Sequence, residues 1–145
     1  METALTLVRQ DVSYHVQYCK ALVEGFNNLK SGQFPDITHK AATLDRALNN
    51  VDRRIGMSLR SHRSPISEHI VSKIDLLPKR IAADVLKFYS NIFYCQSLRD
   101  ECKGALAERE KESDEKPALI CDIYLDILQS SVNLGELLIK EIETI

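Results

Sequence analysis

A chain of 145 residues fits one domain, residues 1–145, and can bury roughly two-thirds of its unfolded surface. Hydrophobic residues at 44% exclude a disordered chain, and a net charge of −2 with the two signs interspersed excludes a global field that draws in nucleic acid or acidic lipid. Aromatic residues at 6%, with no tryptophan, argue against a stacking platform for single-stranded nucleic acid.

The opening stretch METALTLVRQ has no apolar core of signal-peptide length, and no run of about 18 apolar residues occurs anywhere. The cysteines Cys19, Cys95, Cys102 and Cys121 form no CxxC pair. These features predict a reduced, cytoplasmic setting. A membrane surface is reachable only through a basic patch or through an anchor outside this chain.

Periodicity predicts the elements in order. Leu5, Val8, Val12, His15, Cys19, Leu22, Phe26 and Leu29 recur at three and four, one stripe on a helix over 3–30. Ile37, Ala41, Leu44, Leu48, Val51, Ile55 and Leu59 repeat the pattern over 37–60. Ser64-Pro65 reads as N-cap and first position of a short helix, 65–74, because proline loses no hydrogen bond there. Asp75 is expected to cap a long helix, 76–111, with Pro78 in its first turn and Ile81, Val85, Phe88, Ile92, Cys95, Cys102 and Leu106 on its stripe. The last helix, 115–143, follows an Asp114 cap and carries a wider apolar face with Ile120, Tyr124, Ile127, Leu134, Leu138 and Ile142. No stretch alternates with period two. The expected fold is all-α: an antiparallel up-down four-helix bundle with one additional short helix between the second and third long helices. Gly56, Gly104 and Gly135 fall inside helices, where each costs about 1 kcal/mol relative to alanine unless a close helix approach offsets it.

Three groups of residues merit a chemical reading. A zinc site needs two ligands within a few residues, whereas Cys95 and Cys102 stand seven apart on an apolar stripe, so no metal and no cofactor are expected. His15 interrupts an apolar stripe, which suits a core histidine bonded to a neighbour. With Arg9 it also fits the loose Arg-x(4–6)-His pattern of HEPN-type ribonucleases, although this composition yields roughly 0.7 such matches by chance. The third group is basic. From Arg53 to Ser67 no acid occurs, while Arg53, Arg54, Arg60, His62 and Arg63 collect before a helix start, an arrangement able to hold an anion or an acidic partner.

The stretch SPISEHIVSKIDLLPKRIAADVLKFYSNI, residues 64–92, joins a short helix, the turn Leu76-Leu77-Pro78 and the group Phe88-Tyr89-Ser90. It resembles a pattern in small uncharacterised bacterial helical-bundle proteins, many of them membrane-anchored. That resemblance implies a helical bundle and brings no catalytic residues. With no nucleophile, phosphate loop or paired-carboxylate signature in the chain, the expectation leans away from an enzyme. It favours a regulatory or accessory module that acts through a protein partner or self-association, as a homo-oligomer. Two alternatives stand beside it: a HEPN-like ribonuclease or toxin using Arg9 and His15 or the Arg60/His62 cluster, and a sensor binding a small anionic ligand near Arg60, His62 and Arg63.

Overall fold

A computed structural model describes residues 2–32, 46–50, 65–108 and 115–145. Among them every regular element is helical. Helix α1 runs Glu2–Gly32, α2 Pro65–Ser72, a 3-10 turn Ile74–Leu76, α3 Lys79–Glu108 and α4 Glu115–Glu143. Residues 46–50 are helical as well. The all-α expectation holds.

The boundary near Pro78 departs from the sequence reading. Asp75 does not cap a helix from residue 76; it sits inside the 3-10 turn, and α3 starts at Lys79. Leu77 is extended, with φ −95° and ψ 154°. A residue preceding proline is pushed out of the α region by the ring, so no helix can run from 76 through 78. Bonds from Lys73 N–H to Ile70, Leu76 N–H to Lys73 and Leu77 N–H to Ile74 carry the chain out of α2 in tight three-residue steps. The carbonyl of Pro78 then accepts from Ala82 N–H at 2.8 Å and opens α3. The proline at 65 starts α2 as expected, and Pro117 lies in the first turn of α4.

Helix α4 packs against both α1 and α3, while α2 touches the other two. Contacts between α1 and α4 run in opposite order along the two helices: Arg9 pairs with Glu143, and Lys20 pairs with Glu136. The same holds for α3 and α4, where Phe88 lies beside Gly135 and Cys95 beside Ser131. Contacts between α1 and α3 rise together, Asp11 with Tyr89 and Tyr18 with Arg99. Thus α1 and α3 point one way and α4 the other.

The α1 stripe from Leu5 to Phe26 is buried throughout. In the segment 46–50, Ala47 and Leu48 are buried, with Ala47 against Gly25 of α1. On α4 the buried line differs from the expected one. Cys121, Tyr124, Leu128, Ser131, Gly135, Leu138 and Ile142 face inward, and Ile120, Ile127 and Leu134 are only half-buried. Small residues recur on that line because α4 meets two helices at once, and a large side chain at 131 or 135 would hold them apart. No helix among the described residues is long and apolar enough to cross a membrane.

Candidate functional site

Three and four residue steps place Asp11, His15, Tyr18 and Cys19 on the buried side of α1. Opposite them α3 presents Tyr89, Cys95 and Arg99, and α4 presents Tyr124 and Ser131. The result is a polar seam through an otherwise apolar core. Tyr89 donates its hydroxyl to Asp11 Oδ2, and His15 Nε2 stands 3.5 Å from the same oxygen. Rings of Phe88 and Tyr89 approach the His15 imidazole edge to face, at 6.3 and 6.0 Å between centroids. Further along, Arg99 Nη1 donates to the Tyr18 hydroxyl at 2.5 Å. Ser131 donates to the Ile127 carbonyl at 2.8 Å and lies 4.0 Å from Cys95 Sγ.

Burial sets the chemistry of this seam. It pushes the Cys19 thiol well up and the Cys95 thiol up to about 12, with Ser131 opposing the latter. A thiol acts as nucleophile or ligand through its thiolate, which neither presents near neutral pH. The Tyr124 hydroxyl is likewise pushed up by burial and stays protonated. Asp11, His15 and Tyr89 are arranged as a hydrogen-bonded acid–base group, but His15 is 0% exposed and no substrate reaches it in this conformation. Matching buried partners across α1 and α3 fixes their relative register, since a slip of one residue would strand a carboxylate and a guanidinium in the core.

The sequence-derived candidates fall in three places. Arg9 is exposed and lies 3.5 Å from Glu143 of α4, whereas His15 is in the core. Six helical residues leave them about 120° apart around the axis, so α1 does not bring the two together. Arg53, Arg54, Arg60, His62 and Arg63 lie outside the described residues. Among the described residues no group of three or more potential ligands could hold a metal ion. Sequence reasoning missed Asp11, Tyr18, Tyr89 and Arg99 as a polar set, although Asp11 stands one turn before His15 on the same side of the helix.

Two further features lie at the surface of the described residues. A cavity of about 280 Å³ opens between α1 and the 3-10 turn, floored by Leu7, Val8, Ile70 and Leu77 with His69 and Lys73 in its wall. On α4, Leu119, Ile123 and Leu137 are 60%, 37% and 59% exposed. Compared with protein-family models, curated proteins and solved structures, the chain matches none.

One charged contact makes stability depend on pH. Glu141 of α4 is held above its ordinary value of 4.5, chiefly by a hydrogen bond with Asp84 of α3, then by burial and by the Asp84 charge, with Arg80 opposing. A carboxyl raised by folding contributes stability below its unfolded value and loses it as pH rises through the folded value. Thermal melts should therefore show the wild type losing stability as pH climbs above the ordinary glutamate range. Glu141→Gln, which keeps a hydrogen-bonding group without the charge, should flatten that slope and raise the Tm at pH 7. Equal slopes for the two proteins would remove the assignment.

Proposed function

We propose that this chain is a non-enzymatic interaction module, regulatory or accessory in role, that binds another helix through the outer face of α4. One observation carries the reading. Leu119, Ile123, Ile127, Leu134 and Leu137 follow three-four spacing with Ser130 in step, and all six positions fall within about a quarter of the helix circumference. The strip is some 27 Å long at 1.5 Å per residue. It borders the line that α4 buries against α1 and α3, with Ile127 and Leu134 half-buried against the core. Three of its apolar residues, Leu119, Ile123 and Leu137, are exposed on a helix whose inner face is already occupied. Helix-in-groove recognition uses apolar anchors at this spacing.

The frame we propose is an up-down four-helix bundle, with the predicted helix 37–60 as its fourth member. The opposed directions of α1 and α4, the shared direction of α1 and α3, and the contact of Ala47 with Gly25 support it. A cytoplasmic location suits the protonated, buried thiols of Cys19 and Cys95.

The test is the double variant Leu119→Glu/Leu137→Glu. If the strip is a contact surface, helix content is unchanged and stability stays within about 0.5 kcal/mol of wild type, as for other exposed positions. Binding through the strip is lost. Unfolding of the double variant would mean that the strip belongs to the core, and the reading would fail.

A further inference from the structure

The outer strip of α4 is close to its own complement. We infer that it pairs with the same strip of a second copy, antiparallel about a twofold axis near residue 128. This inference rests on the contact-surface reading above and names its partner. Laid antiparallel, Leu119 meets Leu137 of the other copy, Ile123 meets Leu134, and Ile127 meets Ser130. Every anchor then has a partner, and the small Ser130 side chain leaves room for Ile127. A twofold interface requires such reciprocity, with each residue pair occurring twice.

The polar margin of the strip suits the antiparallel direction, which alone brings the two margins together. Asp122, Asp126, Gln129 and Asn133 are exposed along one side of it. Antiparallel pairing sets Asp122 across from Asn133 and Asp126 across from Gln129, carboxylate acceptors facing amide donors. In a parallel twofold pair the two polar margins would lie on opposite sides of the seam, and Asp122 and Asp126 would face no amide of the second copy's margin. Flanking charges choose orientation in paired helices by this means. Gln129 donates to Asn133 within the helix at 3.2 Å, and a carboxylate is a stronger acceptor than that amide oxygen. A single-helix strip buries area at the low end of specific interfaces, about 1,200 Å² or less, so the dimer forms and dissociates with concentration.

Sedimentation equilibrium between roughly 1 and 100 µM tests the inference on four proteins: wild type, Leu119→Lys, Leu137→Glu and the double variant Leu119→Lys/Leu137→Glu. The wild type should dimerise in this range. Each single variant should weaken association by roughly tenfold or more, because a charge is buried against leucine. The double variant should recover most of that loss. Antiparallel pairing sets the introduced ammonium of one copy against the introduced carboxylate of the other, at both ends of the strip. Parallel pairing would oppose like charges.

A dimeric wild type whose double variant associates no better than the singles would overturn the antiparallel register. A wild type that stays monomeric would overturn the second copy as occupant. Neither result touches the contact-surface reading, which fails only if charging the strip with Leu119→Glu/Leu137→Glu unfolds the chain.

Discussion

Gly135→Ala is expected to destabilise the fold by about 1–3 kcal/mol, toward the upper end. A Cβ at this position would overlap Val16 Cγ2 and lie 2.9 Å from Phe88 Cε2. Val16 is stiff at χ1, and the Phe88 ring is fully buried, so neither side chain can swing away cheaply. The helices themselves must part. Alanine gains about 1 kcal/mol of helix propensity over glycine, which the overlap outweighs. Gly25→Ala is the control, because its Cβ would meet only Ala47 Cβ at 3.8 Å, an ordinary contact. Propensity then acts alone, and that variant should be neutral or more stable by up to about 1 kcal/mol. Urea unfolding of the two proteins should give shifts of opposite sign. Equal shifts would mean that α4 does not approach α1 and α3 as closely as the geometry states.

The second large effect is expected at the buried pair of Tyr89 and Asp11. Tyr89→Phe keeps the ring and its packing but removes the hydroxyl that donates to Asp11 Oδ2. Asp11 is only 5% exposed, so water cannot readily replace the lost donor. A hydrogen bond to a buried charged group contributes about 1.5–3 kcal/mol, and the single variant should lose that much. Adding Asp11→Ala removes the group left short of a donor. The pair should therefore be non-additive by about 1 kcal/mol or more in a double-mutant cycle. Additive losses would show that the two side chains do not act on each other. The same cycle on Tyr18 and Arg99 reports whether the seam's second pair is coupled in kind.

Fold class was legible because α1 and α3 each turn one stripe inward, and the residues forming those stripes are apolar. From Leu5 to Phe26 and from Ile81 to Cys95 every expected stripe residue with a described side chain is buried. On α4 the expected line was displaced toward Ile120, Ile127 and Leu134. Hydropathy ranks serine and glycine as outward residues, yet Ser131 and Gly135 sit where three helices converge. The signal was present in Cys121, Ser131 and Gly135, small residues in helical step, and it reports close approach rather than hydrophobicity. At Pro78 the restriction on the preceding residue should have outweighed the aspartate as a boundary signal.

The polar seam was harder to read. Asp11 and Tyr89 are 78 positions apart and Tyr18 and Arg99 are 81 apart, so local periodicity cannot pair them. An arginine in a helix is ordinarily assigned to the solvent face, and Arg99 is 5% exposed. Of the set Asp11, His15, Tyr18, Tyr89 and Arg99, only His15 stood on a predicted inward stripe, which it interrupts. Its neighbour Asp11, one turn earlier, marks the place where a partner from another helix had to come.

The position of α4 between α1 and α3 sets an order on biosynthesis. Asp11 emerges long before Tyr89, and the surface that covers both their helices is translated later still. At about 5–20 residues per second, α1 waits several seconds with a carboxylate and an imidazole on the face it must bury. A nascent chain halted before Glu115 has made Tyr89, the donor to Asp11, but not the helix that covers α1 and α3. The apolar surface of α1 and α3 that α4 covers therefore stays open until residues 115–143 have been made.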